Sequence, residues 1–472
     1  MKGCSDRLGY AIAQLIVLLC HILYPPIHRL YRYPNRVFVF IGEARLWSPG
    51  RRPADHLHPA PAPAQVTSLP SGVVVASQEN NSPVSRVAVL FKAGSRYESP
   101  SQHGASHMVR SCVGQATANT TAFSIIRSLQ QVGGSIEAEG GREHILYGLE
   151  VIRDNLDSAL EVLGEVSTKP AYKAWELKDS LGRVKTELAL REPSALALEM
   201  LHKAAFRNTG LANSIFVPDH KVGKLSGAVL HDYVAQTHQA GRMVVVGFGV
   251  DHDALVSYAQ SLGVSAGEGP AEASVYGGGE IRKDTESPIC VVAVAGAGAS
   301  VGSSDAAALA VAQHILGVGP SVKYGSNASS VLSKAIAGSG GIGMASAVNI
   351  NYSDSGLFGY FVAADSASAE KVVRAAHAAV KGLKVTDSDI GNGKTRVKAA
   401  ILMASESGGE ALADMGLQTL LLGKYNDPVA AAAAVDAVTP SAVEAALRKV
   451  FSGKLSMSVL GNTATIPYLD QL

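Results

Sequence analysis

Short, β-branched apolar runs recur through the first half of the chain, at Gly72–Ala76, Arg86–Phe91, His144–Val151 and Arg242–Gly247. Their length and residue types predict strands. Between them the apolar spacing changes to a helical period. Ala122–Val132 predicts a helix stopped by Gly133-Gly134, and Leu156, Leu160 and Leu163 at i, i+4 and i+7 predict another, with Asp154 as its cap. Strands and helices do not strictly alternate, so the pattern predicts an α+β architecture in which a mainly antiparallel sheet carries helices packed on one face.

The pattern also repeats. Arg183-Val184-Lys185 returns as Arg396-Val397-Lys398, Leu146–Val151 as Leu357–Val362, and Gly241–Gly249 as Gly453–Gly461, at offsets of 213, 211 and 212. A period this long implies two homologous domains rather than a solenoid. The Gly/Pro-rich polar stretch around Gly267–Arg282 is a natural connector. The expected domains are therefore 65–265 and 288–472, joined by a linker at 266–287.

Residues 1–64 differ in kind. They hold eight Lys/Arg against three Asp/Glu, whereas the whole chain carries only +1, so the body from residue 65 onward is mildly acidic at −4. Such a body has no electrostatic footprint for nucleic acid. The Arg-rich, acid-poor character of 1–64 predicts a targeting or N-terminal extension segment. Its apolar stretch Ala11–Tyr24 is about fourteen residues, short of the roughly twenty that span a bilayer. Cys4, Cys20, Cys112 and Cys290 are scattered, forming neither a disulfide framework nor a zinc-ribbon spacing. A reducing compartment fits that usage.

Candidate chemistry centres on His103-Gly-Ala-Ser-His107-Met-Val-Arg110-Ser111. Two histidines four apart on a helix share a face, which is a zinc-ligand spacing. With Glu187 they make a His2Glu set, although Ser106 stands where a base would be needed. Bland readings are available for each residue: His107 as a packed side chain, His103 as a loop residue, Glu187 as a helix charge between Lys185 and Arg191. Ala295–Gly302 lacks the glycine spacing of a dinucleotide fingerprint, Gly338–Gly343 lacks the Lys-Ser/Thr of a P-loop, and Cys112 sits in an apolar run as a packed thiol.

Duplicated halves of about 200 residues, the first opening on a histidine-bearing helix, resemble the pitrilysin/insulinase-type zinc peptidases, whose signature is H-x-x-E-H with a distal glutamate on a later helix. The flanking Ala93-Gly-Ser-Arg-Tyr-Glu98 and Gly104-Ala-Ser-His107 set the register. On it, His107 is the first histidine, Arg110 takes the place of the catalytic glutamate, Ser111 that of the second histidine, and Glu187 is the distal ligand. The resemblance thus implies a degenerate site, with no metal and no cofactor.

Further stretches narrow the resemblance to the non-catalytic core subunits of mitochondrial ubiquinol-cytochrome c reductase, a branch of the same family. They are Phe91–Glu98, Phe206–Ser214, Leu230–Val234, Gly277–Arg282, Gly325–Asn327 and Tyr352–Gly359. This implies a structural subunit, peripheral to the inner membrane on the matrix side, paired with core protein 1 and other subunits of complex III. Two alternatives compete with it. One is the substrate-binding subunit of the mitochondrial processing peptidase, against which Gly338–Gly343 is short for a glycine-rich loop. The other is an active zinc peptidase, against which Arg110 and Ser111 stand.

Overall fold

The computed structural model describes residues 62–270, 272–319 and 330–472. The expected segment 1–64 therefore lies almost wholly outside the described residues, and Gly325–Asn327 lies outside them too. The first half runs β1 (Gln65–Ser68), β2 (Val74–Gln78), β3 (Val84–Phe91), α1 (Ala105–Ser111), α2 (Ala122–Gln131), β4 (Ser135–Gly140) and β5 (Ile145–Ile152). It continues through α3 (Leu156–Thr168), α4 (Ala174–Ala189), α5 (Pro193–Phe206), α6 (Gly227–Thr237), β6 (Met243–Phe248) and α7 (His252–Ser261). The second half runs β7 (Gly279–Asp284), β8 (Ile289–Ala297), α8 (Asp305–Leu316), α9 (Val331–Ser339), β9 (Gly343–Asn351) and β10 (Gly356–Asp365). It ends with α10 (Ala369–Lys381), α11 (Asp387–Glu406), α12 (Gly408–Leu422), α13 (Pro428–Ala434), α14 (Pro440–Ser452) and β11 (Leu455–Gly461).

The fold is α+β, with one sheet in each half. The first has the order β1-β2-β6-β3-β5-β4 and the second β7-β11-β8-β10-β9. Each is antiparallel except for one parallel pair, β2 with β6 and β7 with β11. The sequence echoes land on matching elements: Leu146–Val151 in β5 and Leu357–Val362 in β10, the Gly241 and Gly453 stretches on β6 and β11, Arg183 on α4 and Arg396 on α11.

On one face, each sheet buries its own helices. Phe91, Tyr147 and Val245 meet Leu163, Val184 and Tyr233 in the first core, and Val294, Phe358 and Val459 meet Leu309, Val373 and Leu447 in the second. The opposite face is covered by a helix lent from the other half. From the second half, α12 lays Leu412 and Met415 on Ala76, Leu90, Val246 and Phe248. Its Gly416 lies so close that a Cβ there would stand 2.7 Å from Leu90 Cδ1. In return α5 of the first half packs on β7, β8 and β11, where Ser458 Oγ donates to the Ala197 carbonyl at 2.7 Å. This exchange accounts for the unbroken apolar runs: all six residues of β6 are buried, because both faces of the strand are covered.

Three details differ from the sequence reading. Asp154 does not cap α3, because Arg153–Asn155 form a 3-10 turn and Asn155 occupies the cap position without a side-chain bond. The stretch 266–287 is not connector throughout, since β7 lies inside it and pairs in parallel with β11. A helix lent by the other half covers the sheet face that the pattern left open. Among the described residues no single helix is long and apolar enough to cross a membrane.

Candidate functional site

The site is built on α1, a helix of seven residues that needs help to form at all. Gly104 precedes it at φ 92, a left-handed conformation, and a Cβ there would stand 2.6 Å from Val217 Cγ2. Glu98 then caps the exposed N–H groups. Its Oε2 accepts from Gly104 N at 2.9 Å, and its Oε1 accepts from Ser106 N at 2.8 Å and Ser106 Oγ at 2.6 Å. A carboxylate at this end also opposes the positive pole of the helix.

His107 is 1% exposed, hydrogen-bonded at Nδ1 and in contact with a carboxylate at Nε2. Nδ1 accepts the Val217 N–H at 3.2 Å, which places the proton on Nε2, and Nε2 lies 3.1 Å from Glu187 Oε1 on α4. The Phe216 ring stands edge-on at 5.6 Å. Burial pushes the His107 pKa down, and the opposing pull of Glu187 does not restore it, so the ring is neutral at pH 7. For Glu187 burial is the largest influence and acts upward, but His107, Arg110 and Arg183 together hold its pKa below the usual carboxylate value.

Arg110 lies one turn beyond His107 on α1, with its stem against Gly140 of the edge strand β4. Nη2 donates to the Ile215 carbonyl at 2.8 Å. Burial lowers its pKa, opposed by Glu187, and a guanidinium remains a cation there. Ser111 closes α1 and shares the His107 face by the i, i+4 rule. His103 lies in the turn before the helix, its Nδ1 3.8 Å from Glu98 Oε2. The His103, His107 and Glu187 set therefore does not converge, and among the described residues no three His, Cys, Asp or Glu side chains could hold a metal ion. A catalytic zinc needs three protein ligands and an open position. The residues present offer one histidine nitrogen, one carboxylate and a neighbouring cation, which do not fit it. Cys112 follows as a buried thiol whose pKa burial pushes up to about 12, as a packed side chain requires.

Beside α1 the two halves are joined by buried charge, a feature that the sequence reading did not find. Arg96, 8% exposed, bonds Glu143 and reaches Asp354 of the β9–β10 turn through Nη1 to Oδ1 at 2.9 Å. Glu143 in turn accepts Ser353 N at 2.9 Å and Ser353 Oγ at 2.6 Å. Tyr352 donates to His202 Nε2 at 2.8 Å, and His202 Nδ1 donates to the Leu198 carbonyl at 2.7 Å. Burial would lower the Arg96 pKa, but Asp354 and Glu143 outweigh it and raise it. The signal lay in two stretches used only to set register and resemblance, Ala93–Glu98 and Tyr352–Gly359.

The chain belongs to the insulinase family, peptidase family M16: that family matches residues 73–219, and the peptidase M16 inactive domain matches residues 224–395. The narrower resemblance is borne out as well. The chain is 37% identical over 420 residues to cytochrome b-c1 complex subunit 2, mitochondrial, of Rattus norvegicus, covering 87% of this chain and 93% of that one. The corresponding Homo sapiens protein is 36% identical over 422 residues, covering 88% and 93%. Mitochondrial-processing peptidase subunit alpha of Solanum tuberosum is 29% identical over 430 residues, covering 87% and 84%.

Proposed function

We propose that the chain is a non-catalytic core subunit supporting assembly and stability of the mitochondrial ubiquinol-cytochrome c reductase complex. The observation that carries this reading is its likeness, across both halves, to cytochrome b-c1 complex subunit 2. The site geometry supports the loss of catalysis. Hydrolysis by the family route requires a carboxylate that accepts a proton from zinc-bound water. Arg110 stands in that place as a cation, Ser111 stands in place of a second histidine, and His107 Nε2 faces Glu187 Oε1 at 3.1 Å. We assign these four as the degenerate positions.

The finer parts of the proposal are that core protein 1 is the direct partner, that the subunit is peripheral on the matrix side of the inner membrane, and that residues 1–64 direct it there. Two domains, the first at 65–265 and the second extended to take in β7 and running to 472, belong to the same reading. A permanent interface of this kind buries more than roughly 2,000 Å² and is rich in apolar contacts. Native-gel fractionation of detergent-solubilised mitochondria, with mass spectrometry of the band, tests it. Co-migration with the complex is expected; a chain found alone as a monomer overturns it. Protease protection in intact mitoplasts checks the matrix side.

The second reading, a substrate-binding subunit of the processing peptidase, has the potato likeness in its favour. Against it, only Gly340–Ile342 separate α9 from β9, leaving no long glycine loop there. Cleavage of a presequence peptide by the chain mixed with a catalytic partner would establish it.

A further inference from the structure

Away from α1, two cationic side chains and a buried histidine gather on one helix of the second half. Arg374, His377 and Lys381 lie at i, i+3 and i+7 on α10 and so share one face. With Ala378 and Leu472 they line a cavity of about 190 Å³. Each has committed only part of its hydrogen-bonding capacity. Arg374 gives Nε to Glu370 Oε1 and Nη1 to the Gln471 carbonyl, both at 3.0 Å, which leaves Nη2. His377, 5% exposed, meets the Tyr360 hydroxyl through Nδ1 at 3.0 Å, which leaves Nε2. Lys381 Nζ has no partner among the described residues.

We propose that this cavity is an anion site that takes a single phosphate group. Its volume is below the roughly 300–1,000 Å³ of pockets that enclose drug-sized ligands, so it suits one ionic group with the remainder of any larger molecule outside. A planar carboxylate is best held by the two-pronged edge of arginine. Here Glu370 and Gln471 already occupy two of the three Arg374 nitrogens. The donors left over come from three separate side chains, an arrangement matched to the three oxygens of a phosphate. When the Tyr360 hydroxyl donates to Nδ1, the His377 proton sits on Nε2, which leaves that N–H as a donor at the cavity lining. Two carboxylates stand near the cavity: Glu370 is half exposed and already bound to Arg374, and Leu472 in the lining carries the α-carboxylate, which makes no ion pair with Arg374, His377 or Lys381.

The phosphate comes either from solution or from the headgroup of a phosphate-bearing lipid, and two measurements on the full chain separate these sources. Inorganic phosphate is titrated at constant ionic strength, with chloride as the control, while the His377 ring signals are followed by NMR. Sedimentation with vesicles of phosphatidic acid in phosphatidylcholine is compared with phosphatidylcholine alone. Saturable millimolar binding in at least one arm is expected, weakened at least tenfold by Arg374→Gln with Lys381→Gln at unchanged Tm. The single change Lys381→Gln, at an exposed side chain with no partner, serves if the pair destabilises the fold. Binding in neither arm, or binding that survives these changes, overturns the site.

Discussion

Helices α4 and α11 carry the same phrase in the two halves, Arg183-Val-Lys-Thr-Glu-Leu188 and Arg396-Val-Lys-Ala-Ala-Ile401. Val184 and Val397 are both buried and pack into their own sheet cores. Glu187 and Ala400 occupy the same step of the repeat, yet one faces His107 while the other is exposed. The apolar positions meet a demand that any copy of the fold makes. The polar position meets none, and it keeps its carboxylate only where a histidine holds it. Fold and chemistry are separable along a single helix.

The comparison breaks most visibly if the first half can be made to bind metal again. Arg110→Glu with Ser111→His writes H-x-x-E-H into α1 and leaves Glu187 in place. Stoichiometric zinc is expected by metal analysis after gel filtration, against none for the unaltered chain. The gain comes from replacing a cation and a hydroxyl with a carboxylate and a third ligand. A double variant that folds but stays metal-free would show that the contacts of His107 with Val217 and Glu187 have reshaped the site itself.

Next in size is the join between the halves. Arg96→Ala strips the partner from Glu143, which is 4% exposed in the side chain, and from Asp354. Removing one member of a buried ion pair costs roughly 3–5 kcal/mol, because the opposite charge is left behind. A loss of that size in urea unfolding is expected, with Arg96→Lys recovering only part of it, since an ammonium cannot hold both carboxylates in the same fork.

Sequence reading reached part of this arrangement. Central strands were legible because both of their faces are buried, which writes them as continuous apolar runs. The proposal that His107, Arg110, Ser111 and Glu187 are the degenerate positions rests on the register that Ala93–Glu98 sets for α1, and the fold brings His107 to Glu187. The Arg96, Glu143 and Asp354 join was not legible, since its members are separated by as many as 258 residues and no local period connects them. Nor was the exchange of α5 and α12: an amphipathic helix records that it has an apolar face, not which sheet receives it. Strand β7 was missed because Gly277-Gly278-Gly279 reads as linker until β11 offers it a partner.

Buried histidines give the first half a pH dependence of its own. Burial lowers the pKa of His107 and His202, and it takes His238 down to about 3, with Arg242 acting in the same direction. The folded state then binds fewer protons than the unfolded state between the two pKa values. Stability is fully present above about pH 6.5 and falls as pH drops below it, by up to about 1.4 kcal/mol per pH unit for each such group. Glu187, whose folded pKa is lowered, adds its own loss only below the ordinary carboxylate range. Urea unfolding at pH 7, 6 and 5 should show this decline. His238→Phe should flatten it while keeping a ring packed against Phe91, whose centroid lies 4.2 Å away.

The smallest test returns to α4 and α11 through glycines 211 residues apart. Gly182 on α4 is exposed, and a Cβ there meets nothing within 4 Å; Gly393 on α11 is buried, and its Cβ would stand 2.9 Å from Ile315 Cγ1 and 3.1 Å from Val311 Cγ1 on α8. In a helix interior alanine exceeds glycine by roughly 0.5–1 kcal/mol through backbone entropy alone. Gly182→Ala should therefore raise stability by about that amount. Gly393→Ala gains the same entropy but forces α11 away from α8, an overpacking cost of roughly 1–3 kcal/mol that reverses the sign. Opposite shifts in Tm would show that the two repeated helices are held by different neighbours. Equal shifts would mean that α11 relaxes freely against α8, and that the second half is the looser of the two.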